Sequence, residues 1–186
     1  HCKTRRQRQM CIRDRVTLCL AKAIEADRDF GHQLALRLHE REETLVRRAM
    51  ADVLTRLFRR LTWDALPLLD DMLTSDDEGV LAAASATVGD VKYLDKEQWA
   101  DRLRQLADHP LAIVRRNLVP NLREYIEFDP ADSRGLFHQL WKDGDEVVRT
   151  RLRELMLRME EVAPDRFAAQ VKALHDVQAD LGPLWE

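Results

Sequence analysis

Glycine and proline are scarce in this sequence, with six of each among 186 residues. All-β sandwiches and barrels need turn residues every 8–12 positions, so this scarcity excludes them. Intrinsic disorder is excluded as well, because a chain that is 45% hydrophobic can bury a core. The charged residues make up 34% of the chain, and so high a charge with so few helix breakers is typical of long amphipathic helices.

Cysteine is also scarce, and the three that occur, Cys2, Cys11 and Cys19, form no Cys-x-x-Cys pair. This pattern argues against a disulfide-framed secreted domain and against a cysteine zinc site. The charge-free stretch at residues 79–89 is 11 residues long, too short to cross a bilayer, and no signal peptide opens the chain. We therefore expect a cytoplasmic protein without a membrane partner. Because the chain starts at His1, we expect a fragment of a larger protein.

Charge is unevenly distributed along the chain. The formal net charge is −3, yet residues 1–15 carry +5 and the remainder carries −8. Two interpretations of residues 1–15 stay open, a basic arm on an acidic body or a segment foreign to the fold. The acidic remainder disfavours a nucleic-acid partner, because phosphate binding needs positive charge.

An internal repeat is the strongest feature of the sequence. In four segments a leucine is followed seven and eight positions later by two aliphatic residues, and position nine is arginine in three of the four. The leucines are 35, 33 and 34 residues apart. The segments begin at Leu38, Leu73, Leu106 and Leu140.

Each repeat is predicted to contain two helices joined by a polar hinge. Apolar residues recur at helical spacing before each marker leucine, as in Trp99, Leu103 and Leu106, and a second apolar stripe follows the hinge. The acidic hinge residues suit helix N-caps, because a carboxylate can accept from free backbone amides. These expected caps are Asp76 or Asp77, Asp108 and Asp143. Pro120 lies inside a second helix and is expected to kink it.

The hinge pattern Asp-x-x-x-x-Val-Arg, clearest from Asp143 to Arg149, resembles the HEAT family of armadillo-type α-helical repeats. The resemblance covers residues 34–175 and implies an all-α fold, a right-handed α-α superhelix of about four to five helical pairs. It also implies a ladder of hinge bonds between adjacent repeats, for which the candidates are Asp76, Asp108, Asp143, Arg47, Arg115 and Arg149.

Two departures from that family are visible. The period is shorter than the usual 40–47 residues, and the second repeat has Ala82 where arginine is expected. A tetratricopeptide array has the right period but a different hinge and tryptophan pattern, and a plain helical bundle is the third alternative. The predicted organisation is a basic segment at 1–15, a repeat array at 16–180 and a tail at 181–186. Within the array, the units lie near 38–72, 73–105, 106–139 and 140–173, with partial repeats at both ends.

Residues arranged for catalysis or metal binding are missing from the sequence. The six histidines show no metal-ligand spacing, and there is no nucleophile elbow, phosphate-binding loop or dinucleotide fingerprint. Acidic pairs such as Asp70 and Asp71 are interpreted as caps and solvent-facing charge. We therefore expect no catalytic residues, no metal and no cofactor.

The second helices are the predicted partner surface, because they line the concave face in HEAT-like superhelices. An alternative interpretation is a solvated helix face, with pairs such as Arg48 and Asp52. The expected function is a non-catalytic scaffold that binds another protein through this face, and a structural spacer or a DNA-binding, DNA-alkylation-repair-type glycosylase are the alternatives. The candidate partner-binding residues are Arg48, Asp52, Arg56, Arg116, Arg123, Glu124, Arg153, Glu154 and Arg158.

Overall fold

A computed structural model describes residues 5–41 and 43–175 of the chain. Within these ranges the secondary structure is entirely helical, which confirms the predicted all-α class. Residues 1–4 of the basic segment, residues 176–180 of the expected array and the tail at 181–186 lie outside the described residues. None of the helices in the described part combines the length and the apolarity needed to cross a membrane.

The chain divides into two compact units, residues 1–95 and residues 96–186. Unit 1 contains α1 (Arg5–Ala26), α2 (Arg28–His39), α3 (Thr44–Leu61), α4 (Leu66–Leu73) and α5 (Glu78–Thr87), with 3-10 helices at Thr62–Ala65 and Val88–Tyr93. Unit 2 contains α6 (Lys96–Ala107), α7 (Ala112–Leu118), α8 (Leu122–Phe128), α9 (Pro130–Trp141), α10 (Glu146–Val162) and α11 (Pro164–His175), with a 3-10 helix at Val119–Asn121.

The helices alternate in pairs, as the repeat predicts. Each marker leucine lies at or next to the last residue of a first helix, for example Leu73 at the end of α4 and Leu140 one residue before the end of α9. A hinge follows, and the second helix begins five or six residues after the leucine. The helix α1 is continuous from Arg5 to Ala26 and so runs across the expected boundary at residue 15.

The N-caps of the second helices keep a stricter period than the leucines do. These caps are Glu43, Asp77, Leu111 and Asp145, each 34 residues after the previous one. The leucine spacing varies because the hinge after Leu73 is one residue shorter than the others. The cap expected at Asp76 or Asp77 is confirmed at Asp77. The caps expected at Asp108 and Asp143 were wrong, because both residues lie in their hinges before the capping positions, which Leu111 and Asp145 occupy.

In unit 1 the second helices lie side by side. Helix α3 packs between α1 and α5, while α2 packs on α1 and α3, and α4 packs on α3 and α5. Gly31 lets α1 and α2 approach closely, because a Cβ there would lie 2.6 Å from the Cα of Ile24. The apolar stripes face inward and form a core that includes Leu20, Ile24, Ala35, Met50, Leu54, Leu57, Leu69, Met72, Val80 and Ala84.

In unit 2 the first helices α6, α9 and α11 form one row, and α7 packs beside α10. Pro120 breaks the second helix into α7 and α8 through the 3-10 turn, which confirms the predicted kink. The turn places Asn121 where its Oδ1 accepts a 3.4 Å hydrogen bond from Nε1 of the buried Trp99. The Trp99 ring also meets the Tyr125 ring edge-on, with 5.6 Å between centroids.

Candidate partner-binding surface and hinge bridges

An arginine of one second helix binds the N-cap aspartate of the next second helix in both units. In unit 1, Arg48 Nε and Nη2 each donate to an Asp77 carboxylate oxygen at 2.8 Å. In unit 2, Arg116 Nε and Nη2 donate to the two oxygens of Asp145 at 3.0 and 2.6 Å. We call these two pairs the outer bridges. Each is a two-point contact between planar groups, a geometry that arginine provides and lysine does not.

The aspartates of the outer bridges serve two purposes at once. Asp77 Oδ1 also accepts hydrogen bonds from the amides of Gly79 and Val80, and Asp145 Oδ1 accepts one from the amide of Val148. Each carboxylate therefore caps its own helix and fixes the preceding second helix beside it. A negative group at the helix N-terminus also interacts favourably with the helix dipole.

Unit 2 contains a second and more buried contact, which we call the inner bridge. Arg115 Nε and Nη2 donate to the two oxygens of Asp143 at 2.6 and 3.0 Å. The Asp143 side chain is only 5% exposed, and that of Arg115 is 17% exposed. Arg115 Nη1 also donates to the carbonyl of His109 at 2.6 Å, so this guanidinium ties its own hinge to the following one.

The N-caps of α5, α7 and α10 share a local hydrogen bond. In each hinge, the side chain two positions before the cap residue accepts a hydrogen bond from the backbone amide of that cap residue. Ser75 Oγ accepts from Asp77, His109 Nδ1 accepts from Leu111, and Asp143 Oδ1 accepts from Asp145. Three chemically different side chains thus perform the same local task at the same position of the 34-residue period. Only the carboxylate of Asp143 has a second oxygen to offer an arginine.

The bridges shift the acidities of their carboxyl groups. The hydrogen bond from Arg116 lowers the pKa of Asp145 to about 2, with help from the amide of Val148. The hydrogen bonds from Arg115 and Arg48 likewise lower the pKa of Asp143 and of Asp77 against the opposing effect of burial. All three carboxylates are therefore held in the charged form that the bridges require.

The expected ladder residues divide into two groups. Arg115 and Asp143 meet in the inner bridge, and Arg149 Nη1 donates to the Asp143 carbonyl. Arg47 lies 3.9 Å from Asp71, Asp76 is exposed, and Asp108 accepts a hydrogen bond from Gln139. The sequence pointed to residues one place away from the outer bridges, Arg47 rather than Arg48 and Asp76 rather than Asp77.

Two candidate partner-binding residues, Arg48 and Arg116, are engaged within the protein by the outer bridges. Arg153 lies over the Trp141 ring, with 5.8 Å from its guanidinium carbon to the ring centroid. Arg123 and Glu124 are exposed on α8. The remaining candidates, Asp52, Arg56, Glu154 and Arg158, line two clefts.

The first cleft, the α3 cleft, lies between α1 and α3 in unit 1 and has a volume of about 740 Å³. Arg60 on its rim is fixed by Glu25 at 2.5 Å and by the carbonyl of Ala21 at 3.0 Å. Asp52 and Arg56 form no hydrogen bond or ion pair with any residue that the structure describes. The cleft is lined by Asp14, Leu18, Ala21, Asp52, Val53, Arg56, Leu57 and Arg60.

The second cleft, the α10 cleft, lies in unit 2 between the 3-10 turn after α7 and the exposed side of α10. Its volume is about 180 Å³, and Val119, Pro120 and Leu155 supply its apolar lining. The charged lining residues are Arg151, Glu154 and Arg158.

A cluster that the sequence did not indicate joins α6, α8 and α9. Asp132 Oδ2 accepts hydrogen bonds from Tyr125 Oη and from Arg104 Nη1, the latter at 2.8 Å, and Arg104 also pairs with Asp101. Burial, followed by the bond to Asp132, raises the pKa of the Tyr125 hydroxyl far above its ordinary range. The cluster resembles the bridges in linking helices, and no cleft opens onto it among the clefts described above.

Metal-binding geometry is not found among the described side chains, where no group of three or more histidine, cysteine or acidic residues could hold an ion. His39 Nε2 lies 2.7 Å from Asp71 Oδ2, a contact between two neighbouring first helices. No family model matches the chain, and a search of curated proteins gives no match to its sequence.

Proposed function

We propose that this chain is a HEAT-like array of four to five helical pairs, wound as a right-handed superhelix, that binds another protein through its second helices. In this proposal it is a non-catalytic scaffold of the cytoplasm, where the exposed Cys19 stays a free thiol. The arginine–aspartate bridges between successive hinges support the family resemblance, because such bonds are what the resemblance implies.

The observation that carries the binding proposal is the position of the two clefts. The α3 cleft lies between α1 and α3, and the α10 cleft lies between the α7 turn and α10. In the repeat pattern all of these are second helices, since α1 has the register of a second helix that precedes the first complete pair. First helices contribute no lining residue to either cleft.

The polar groups of these clefts favour a protein partner. Asp52 and Arg56 of the α3 cleft carry opposite charges and bind no described residue, so both remain available to a partner. Arginine beside apolar surface is the composition that protein interfaces favour. A DNA ligand would meet two carboxylates, Asp14 and Asp52, beside the two arginines of the α3 cleft, which opposes phosphate binding.

The test compares a second-helix variant with a matched first-helix control. Full-length protein carrying Asp52→Ala with Arg56→Ala on α3 is used as bait in quantitative affinity enrichment beside the wild type and beside Asp29→Ala with Arg37→Ala on α2. We expect defined partners to be depleted about fivefold or more from the second-helix variant. Their recovery with the α2 control should equal that of the wild type, and circular dichroism should show intact helices in both.

Equal recovery of every partner by both variants would overturn the proposal and favour a structural spacer. The DNA alternative is tested with a full-length variant in which Arg5, Arg6 and Arg8 are changed to Gln, so that the basic segment cannot dominate. Tight binding of duplex DNA by this variant, with a steep dependence on salt, would also overturn the scaffold proposal.

A further inference from the structure

We propose that the α10 cleft binds a short acidic segment of the partner protein, which inserts one apolar side chain between Arg151 and Arg158. This inference rests on the proposed function and assigns the chemistry of the partner to one site. The two arginines are seven residues apart on α10, which is about two helical turns, or about 10 Å along the axis. Leu155 lies between them and forms the apolar lining together with Val119 and Pro120.

The size of the α10 cleft decides what kind of ligand it accepts. Its volume of about 180 Å³ is below the range of about 300–1,000 Å³ in which small molecules and cofactors bind. A single leucine-sized side chain suits this space, and one buried anchor is a common basis of protein–protein recognition. Pro120 creates the space, because the 3-10 turn around it interrupts the second helix opposite α10.

The charges around the α10 cleft favour carboxylates on the partner. Arg158 makes no hydrogen bond or ion pair within the described part of the chain. Arg151 uses one nitrogen, Nη1, in a 3.3 Å bond to the carbonyl of Arg116, and a guanidinium has five N–H groups to donate. Both arginines can therefore take a carboxylate on either side of the inserted side chain.

The same lining disfavours nucleic acid. Glu154 lies in the cleft between the two arginines and would repel a continuous phosphate backbone. The apolar lining is aliphatic and offers no aromatic ring on which a base could stack. Glu154 also restricts the partner segment, whose carboxylates must lie toward the ends of the cleft rather than opposite its centre.

The probe is a fluorescein-labelled ten-residue peptide with one central leucine flanked on each side by two glutamates. Fluorescence anisotropy measures its binding to the full chain. Arg158→Gln should weaken binding about two- to fivefold, because it removes one ion pair. Glu154→Gln should tighten binding about twofold, because it removes a like charge.

The control is Lys142→Gln, which removes one positive charge from an exposed residue of unit 2 that does not line the cleft and should leave the affinity unchanged. A peptide with alanine in place of leucine should bind about threefold more weakly or worse. Equal affinity for a peptide with glutamine in place of glutamate would overturn the inference, as would tighter binding of single-stranded DNA that depends on Arg158. If protein partners depend on Asp52 and Arg56 but the acidic peptide does not bind, this inference fails while the proposed function stands.

Discussion

The α4–α5 hinge of unit 1 carries one bridge, whereas the α9–α10 hinge of unit 2 carries two. The outer bridges are equivalent, since Arg48 and Arg116 each bind the next N-cap, Asp77 or Asp145. The inner bridge forms in unit 2 alone among the described hinges, because Ser75 occupies the position of Asp143. The hydroxyl of Ser75 satisfies the cap amide but cannot hold an arginine.

This comparison shows that one position of the period decides how strongly a hinge is tied to the preceding repeat. Arg47 of unit 1 has the same register as Arg115, yet without a carboxylate at Ser75 it lies 3.9 Å from Asp71 on α4. Arginine at the right register is therefore not sufficient for an inner bridge. The acceptor two residues before the cap must also carry a charge.

The largest expected effect comes from making unit 2 resemble unit 1 with Asp143→Ser. Serine can still accept from the Asp145 amide, but Arg115 is left largely buried without its carboxylate. We expect unit 2 to lose about 3 kcal/mol of stability. Native-state hydrogen exchange of the full chain, followed in residues 96–175 over increasing urea, measures the loss, while residues 16–95 should keep their protection.

A double substitution checks that the loss in unit 2 belongs to the inner bridge. Arg115→Met combined with Asp143→Ser removes both charges, so no buried ion remains, and we expect most of the stability to return. A double variant as unstable as Asp143→Ser would contradict this account, because the loss would then lie in the hinge backbone.

Acid should also destabilise the two units to different extents. A carboxyl group whose pKa is lowered by folding adds stability above its ordinary pKa of about 3.9, and that stability is lost as the pH falls toward the folded value. Among its described residues, unit 2 has three such groups, Asp132, Asp143 and Asp145, and the pKa of Asp145 falls to about 2. In the described part of unit 1, Asp77 is the corresponding group.

We therefore expect unit 2 to lose more stability than unit 1 between pH 4.5 and pH 2. Urea unfolding of the full chain at pH 4.5, 3.5 and 2.5, followed by circular dichroism, measures the slope. The double substitution Asp143→Asn with Asp145→Asn should flatten this slope more than Asp77→Asn does. Asparagine is also a good N-cap residue, so the caps at positions 77 and 145 are retained. Equal slopes in the two variants would show that the inner bridge adds nothing to the acid response.

A smaller effect is expected from Asp77→Ala in unit 1. This substitution removes both the N-cap of α5 and the outer bridge to Arg48. The Arg48 side chain is 47% exposed, so we expect most of the lost stability to come from the cap. We expect a loss of about 1 kcal/mol from the cap, confined to unit 1. Asp77→Asn keeps the cap and should therefore lose about half as much stability as Asp77→Ala. Hydrogen exchange in residues 16–95 measures the stability of unit 1 in both variants. An equal loss in both variants would assign the effect to the bridge.

The helical pairs could be predicted from the sequence because they depend on apolar spacing. The stripe of Trp99, Leu103 and Leu106 lies buried in α6 as expected, and Pro120 interrupts its helix as expected. Such features require only the 3.6-residue period and the geometry of proline. The superhelix and the binding function stay predictions.

The bridges were harder to predict because neighbouring residues compete for the same role. Arg115 and Arg116 are adjacent, as are Asp76 and Asp77, and a shift of one residue turns a side chain by about 100° around the helix. The marker leucines are a poor reference for comparing the repeats, because their spacing changes with hinge length. Alignment on the N-caps, which keep a period of 34 residues, matches Asp77 with Asp145, but it matches Arg47 with Arg115 as well as Arg48 with Arg116 and so does not choose between the two arginines.

The smallest effect, and the one opposite in sign, is expected from Ser75→Asp in unit 1. The new carboxylate can still accept from the Asp77 amide, and its second oxygen becomes available to Arg47, whose present contact with Asp71 is long and exposed. We expect unit 1 to gain about 0.5 kcal/mol, measured by hydrogen exchange in residues 16–95. Adding Arg47→Gln should reverse the sign, because an aspartate at a site where Ser75 is 8% exposed would then be buried without a cation. Destabilisation with Arg47 intact would mean that the arginine cannot reach the hinge, and that the units differ in helix placement as well as in one side chain.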